Sequence, residues 1–199
     1  MPELPELERA AVLARLAEEV VRIPPPARVG VDGVDAAGKT ILADELATLV
    51  PGARRISADE FLRPPVERYR RGRSSAEGYY DDSFDHDRLR GAVLAERGVV
   101  LVDGIFLYRP ELNDLWDFRI FVHVELEESI RRGAERDAAL LGSRADAERL
   151  YRTRYAPGQQ IYLRTVRPWA LADIAVDNTD PSRPKLYPGT GRLPSVNSG

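Results

Sequence analysis

The sequence predicts an α/β domain, a doubly wound parallel sheet of about five strands with helices on both faces. Three observations carry this. Short apolar runs without strict alternation recur along the chain, helix-like stretches separate most of them, and a glycine-bounded turn joins the first run to a helix. The 199 residues are enough for one substantial core and short for two.

Residues 4–21 carry apolar side chains near helical spacing, with no glycine or proline after Pro5, and read as an amphipathic helix. Pro24, Pro25 and Pro26 stop it and act as a stiff connector. Residues 28–32 are the first strand, and the helical run 40–50 follows the glycine turn. Further buried strands are expected at 54–57, 99–103, 118–124 and 174–177, with helices at 86–96, 127–141 and 145–155. Tyr155, Pro157 and Gly158 mark a helix end. A single domain is expected over residues 1–180. Residues 181–199, rich in Pro, Gly and Ser, read as a poorly ordered tail.

Composition narrows the function classes. Net charge is −3 and the isoelectric point is about 5.6. A dedicated nucleic-acid binder carries a basic excess, so no nucleic-acid partner is expected. No run approaches the roughly 18 apolar residues of a membrane span, so no membrane partner is expected. Residues 2–8 hold three glutamates where a secretory leader would be basic, and no cysteine is present for disulfides or thiolate metal sites. A cytoplasmic protein is the expectation. Of 29 Lys+Arg only Lys39 and Lys185 are lysine, which makes the position of Lys39 informative.

Gly33, Val34, Asp35, Ala36, Ala37, Gly38, Lys39 and Thr40 fit G-x-x-x-x-G-K-[ST] at every fixed position. Composition alone yields such a match on the order of once in a thousand chains of this kind. The glycines let backbone N–H groups curl inward around phosphate oxygens. The helix that starts here and runs through Ile41 adds free amides and the positive end of its dipole. Lys39 is expected at the β- and γ-phosphates and the Thr40 hydroxyl on Mg²⁺. The chain thus reads as a P-loop nucleotide-binding domain. The guanine-reading Asn-Lys-x-Asp pattern is missing, which makes ATP the expected donor.

A P-loop site needs a carboxylate near the magnesium, at the end of a buried strand. Asp103 follows four apolar residues and precedes Gly104, which places it at the carboxyl edge shared with the loop. A turn-forming Asp-Gly is the alternative. Asp59 lies just beyond another short strand, one expected to neighbour the loop strand. It suits a base that orients an acceptor hydroxyl and takes its proton. A helix N-cap is the alternative there.

These sites fall in an order that is similar to the uridine kinase and phosphoribulokinase group of P-loop kinases, from about residue 28 to 184. The loop is followed by Asp59, Glu60 and Phe61, matching an Asp-x-Phe segment. A tyrosine-rich stretch ends in Ser83, Phe84 and Asp85. Val102 to Phe106 resemble the Walker B strand, followed by Leu115, Trp116 and Asp117. Arg131 to Asp137 resemble an arginine-rich lid entry, and Ala172 to Asn178 the final strand. The resemblance implies phosphoryl transfer from ATP to a hydroxyl of a nucleoside, sugar or related metabolite, under a helical lid at about 127–160. It implies Asp59 as base or magnesium-water ligand, with Phe61, Tyr79 and Tyr80 beside it at the acceptor. It implies Arg132 or Arg136 at the donor phosphates, whose alternative is solvated helix surface with partners such as Glu128 and Arg132. Three departures concern the substrate. Tyr79 stands where the group's sugar-gripping aspartate would be, Asp103 replaces a common glutamate, and only residues 85–98 occupy the place of the uracil-reading insertion.

The basic run from Glu67 to Arg73 reads as a mobile loop, with an anionic acceptor's binding segment as the alternative. His86 and His123 read as structural, and Trp116 and Trp169 as packed on the sheet. Asn178 to Pro181 either line the adenine or form a turn. A small-molecule kinase leads; a nucleotide-dependent switch with little transferase activity and a polynucleotide kinase are the competing readings.

Overall fold

Five apolar runs become adjacent parallel strands in the computed structural model, which describes residues 8–189. They are β1 (Ala27–Gly33), β2 (Arg54–Ser57), β3 (Val99–Asp103), β4 (Phe118–His123) and β5 (Ile174–Asp177). A sixth, β6 (Lys185–Pro188), pairs antiparallel with β5 and completes the order β2-β3-β1-β4-β5-β6. Around them run α1 (Arg9–Val21), α2 (Lys39–Leu49), α3 (Pro65–Arg68), α4 (Ala76–Asp82) and α5 (His86–Ala95). Then come α6 (Leu126–Leu141), α7 (Arg144–Leu150), α8 (Ala156–Val166) and α9 (Pro168–Leu171).

Successive strand residues face opposite sides, and both sides of the central strands are covered, so β3 reads as an unbroken apolar run; β2, expected to be buried, is an edge strand that buries only Ile56. Val29, Val31, Leu101, Ile120 and Val122 meet Val12 and Leu16 of α1 and Leu42 and Leu46 of α2. Val100, Val102 and Phe121 meet the other layer, which holds Leu89, Val93, Phe106, Trp116 and Tyr162. Gly30 faces this second layer because a Cβ there would stand 3.0 Å from the rings of Trp116 and Tyr108. Asp32 is buried on β1. Burial pushes its carboxyl up to about 6, even though Tyr162 and the Gly33 N–H both donate to it.

Three expectations change. The stretch expected to be an irregular tail contains β6, whose Leu186 joins the core. A four-residue edge strand bounded by Pro184 and Gly189 gives too short a pattern to separate from a loop. Residues 190–199 and the first turn expected for the N-terminal helix lie outside the described residues. Pro157 does not end a helix, either. A π-type turn, Tyr151–Tyr155, carries α7 into α8, and Pro157 sits in the first turn of α8, where a missing N–H is harmless. Third, β2 neighbours β3, which lies between it and the loop strand. Among the described residues no helix is long and apolar enough to cross a membrane.

Gly158 sets the approach of α8 to α4. A Cβ there would lie 2.9 Å from the Ala76 carbonyl oxygen and 2.8 Å from the Tyr79 ring. Gly158→Ala is therefore expected to destabilise the fold by about 1–3 kcal/mol in a urea titration. Alanine is the better helix former by about 1 kcal/mol, so a raised midpoint would show that the two helices have room to spare.

Candidate active site

The loop between β1 and α2 bends through Ala36 and Gly38, both left-handed, at φ +53° and +90°. Gly38 is required twice over: L side chains rarely adopt that φ, and a Cβ would stand 2.6 Å from Asn178 Nδ2. Asn178 in turn donates to the Ala37 carbonyl at 2.7 Å, fixing the loop from beneath. The Lys39 ammonium donates to the Val34 carbonyl across the loop at 2.7 Å. The Ile41 side chain points outward and is 61% exposed, so only its backbone belongs to the helix start.

Strand register brings the acids to this edge. Asp103 ends β3 beside Val31 of β1 and Ser57 of β2. The Thr40 hydroxyl donates to Asp103 Oδ2 at 2.7 Å. Arg55 Nε donates to Asp103 Oδ1 at 2.7 Å, and the same guanidinium reaches Asp44 at 3.2 Å. The buried Asp103 side chain therefore faces the loop and is no turn cap. Gly104 follows because its Cβ would collide with that of Ala58 at 2.5 Å.

Asp59 lies in the short 3-10 turn Ala58–Phe61, whose N-cap is Ser57; its carboxylate makes no capping bond. It opens instead on a cavity of about 160 Å³ that Asp35, Tyr79, Phe84, Arg136 and Tyr155 also line. One side of Asp59 is open to solvent, yet the protein crowded around the carboxylate raises its pKa. Asp35 and Asp103 raise it further, against the opposing pull of Lys39 and Arg136. The Tyr79 hydroxyl donates to Asp35 at 2.8 Å, and burial raises this phenol well above its ordinary pKa.

Phe61 and Tyr80, expected at the acceptor, lie off the cavity. Phe61 packs beside Arg88, and Leu62 takes its place in the wall. Tyr80 packs on Phe106 and under the guanidinium of Arg109 at 4.2 Å. The two lid arginines separate. Arg132 pairs with Glu128 at 2.6 Å and also donates to the carbonyls of Asn178 and Thr179. Arg136 lines the cavity, paired with Asp137 at 2.8 Å, which raises its pKa.

Buried and charged side chains contact the basic run at several points. Arg154, on the π-type turn and 1% exposed, donates to the carbonyls of Arg68, Gly72, Arg73 and Ser75. Its guanidinium lies between the Tyr69 and Tyr79 rings at 4.8 and 5.6 Å. Arg70 and Arg71 are held by Asp82 and Asp81. Sequence reasoning missed Arg55, Arg154 and Gln159. In an arginine-rich chain no local pattern marks which arginine turns inward.

No protein-family model matches the chain, and no curated protein is similar to it in sequence. Solved structures are similar in fold. A Bacillus stearothermophilus protein, described provisionally as a uridine kinase, aligns with TM-score 0.63 at 18% identity, covering 83% of this chain and 97% of that one. A Silicibacter protein described provisionally as a fructose transport system kinase aligns with TM-score 0.62 at 18% identity, covering 77% and 93%. The chain thus shares the α/β fold of these two structures.

Proposed function

We propose that the chain is a P-loop phosphotransferase that moves the γ-phosphoryl group of ATP to a hydroxyl of a small molecule. The observation that carries the reading is the junction of two sites: a phosphate loop with Thr40 and Asp103 in contact, opening beside a separate aromatic and acidic cavity at Asp59. Thr40 and Asp103 are hard oxygen donors 2.7 Å apart, a donor set that suits magnesium. Thr40 and Asp103 would hold magnesium there, and the ion would supply charge neutralisation for the phosphates.

The protein's own groups would divide the work. Lys39 exchanges its bond to Val34 for the donor phosphates, and the loop amides hold the remaining oxygens. Arg55 keeps Asp103 turned towards Thr40. Asp59 accepts the proton of the acceptor hydroxyl as that oxygen bonds to the γ-phosphorus and the bond to the β–γ bridging oxygen breaks, releasing ADP. Arg136 places positive charge on the cavity side, where the transferring group passes. The supporting arguments are the loop geometry, the single sheet edge that carries both acids, and the fold shared with proteins described as kinases.

An ADP-release screen over nucleosides, sugars, sugar phosphates and vitamin precursors tests this. The reading expects release that depends on one acceptor class; ATP bound with no acceptor effect would favour a nucleotide-dependent switch. Uridine is expected to be a poor acceptor, since α5 alone fills the stretch between Asp85 and β3 where a base-reading segment would be needed. Uridine turnover with a KM in the ordinary range of about 1 μM to 1 mM would show that inference wrong.

A further inference from the structure

An acid inside a phosphate loop is costly, because it stands near the negative charge the loop gathers. Asp35 is such an acid, and three elements hold it in place. Tyr79 of α4 and Gln159 of α8 both donate to Oδ2, at 2.8 and 2.9 Å. Gln159 also accepts the Asp35 N–H, and Ser129 of α6 donates to the Asp35 carbonyl at 2.7 Å. This leaves Oδ1 without a hydrogen bond from any described residue, and the Asp59 carboxylate is met by charges and no hydrogen-bond donor among the described residues. Both acids line the same cavity.

Two carboxylates facing one cavity suit a ligand that brings donors. The cations nearby leave little positive charge for an anionic ligand. Arg68, Arg136 and Arg154 line the cavity against Asp35, Asp59 and Asp137, so three cations are matched by three acids. The Tyr79 and Tyr155 rings, packed on each other at 4.8 Å, give the cavity an apolar stretch of wall. We propose that Asp35 is a specificity-determining residue for the acceptor, and that the acceptor is a small neutral polyol presenting one hydroxyl to Asp59 and a second to Asp35. The proposal rests on the phosphotransferase reading above.

The test pairs substrate and protein changes. ADP release is measured with neutral polyols of three to six carbons and their monodeoxy analogues, beside phosphate esters, sugar acids and amino alcohols of the same length. In the wild type, removing the second hydroxyl is expected to lower kcat/KM about 10- to 100-fold, the worth of a hydrogen bond to a charged group. In Asp35→Asn the amide oxygen stays with Tyr79 and Gln159 and an NH₂ faces the cavity. The same deoxygenation should then cost no more than about fivefold. If Asp35→Asn fails to fold, Tyr79→Phe replaces it; freeing the carboxylate should shrink the deoxy penalty by about threefold or more. An undiminished penalty in the variant overturns the role of Asp35. Turnover confined to phosphorylated, acidic or amino acceptors overturns the polyol and leaves the phosphotransferase reading standing. No turnover with any member overturns both.

Discussion

Asp59→Asn is expected to lower turnover by about 10²–10⁴-fold, or about 3–5 kcal/mol of barrier, while leaving ATP affinity nearly unchanged. Asn keeps the size and can still accept a hydrogen bond, but it cannot take a proton. The structural cost should be small, because the Asp59 carboxylate caps no helix and lies open on one side of the cavity. A pH profile gives a second readout. The base works as a carboxylate, so activity should fall as pH drops through its pKa. Protein crowded around the carboxylate and the nearby Asp35 and Asp103 raise that pKa above the usual aspartate value of 3.8, so the acid limb should lie at higher pH than an ordinary aspartate would give. Turnover of Asp59→Asn within threefold of wild type, with the acid limb unmoved, would leave the chemistry without its base.

Lys39→Ala should abolish phosphoryl transfer, by at least about 10³-fold, with the fold intact. The bond that Lys39 makes in the structure is to the Val34 carbonyl of its own loop, so the bond lost is local to that loop. Removing it takes away positive charge where charge develops in the transition state, and no other lysine lies among residues 1–184. Steady-state turnover, with thermal midpoint as the control, measures the effect. Unchanged turnover with ATP bound as tightly would rule out the phosphate-loop assignment.

The parts legible in the sequence were those with a local signature. A strand covered on both faces is largely apolar, so β3 could be read from Val99 to Val102, and its terminal acid placed Asp103 at the loop's edge. The phosphate loop has a fixed spacing because only glycine reaches the backbone angle at Gly38. The illegible parts depend on partners far along the chain. Arg55 meets Asp103 across 48 residues, and Gln159 meets Asp35 across 124. Neither contact leaves a pattern near either residue. The π-type turn defeats a 3.6-residue period, which is why Pro157 reads as a terminator and is none. Asp35 occupies a variable position of the loop, so its pinning by Tyr79 could emerge only from the fold.

The central claim is that the γ-phosphoryl group leaves ATP for a small molecule, and following the phosphorus itself tests it most directly. ³¹P NMR of the protein with ATP, magnesium and a mixed acceptor panel should show the γ resonance declining as a new phosphomonoester resonance grows in equal amount, in the wild type and not in Lys39→Ala. Growth of inorganic phosphate alone, or bound ATP that stays intact, would contradict the account and point to a nucleotide-dependent switch.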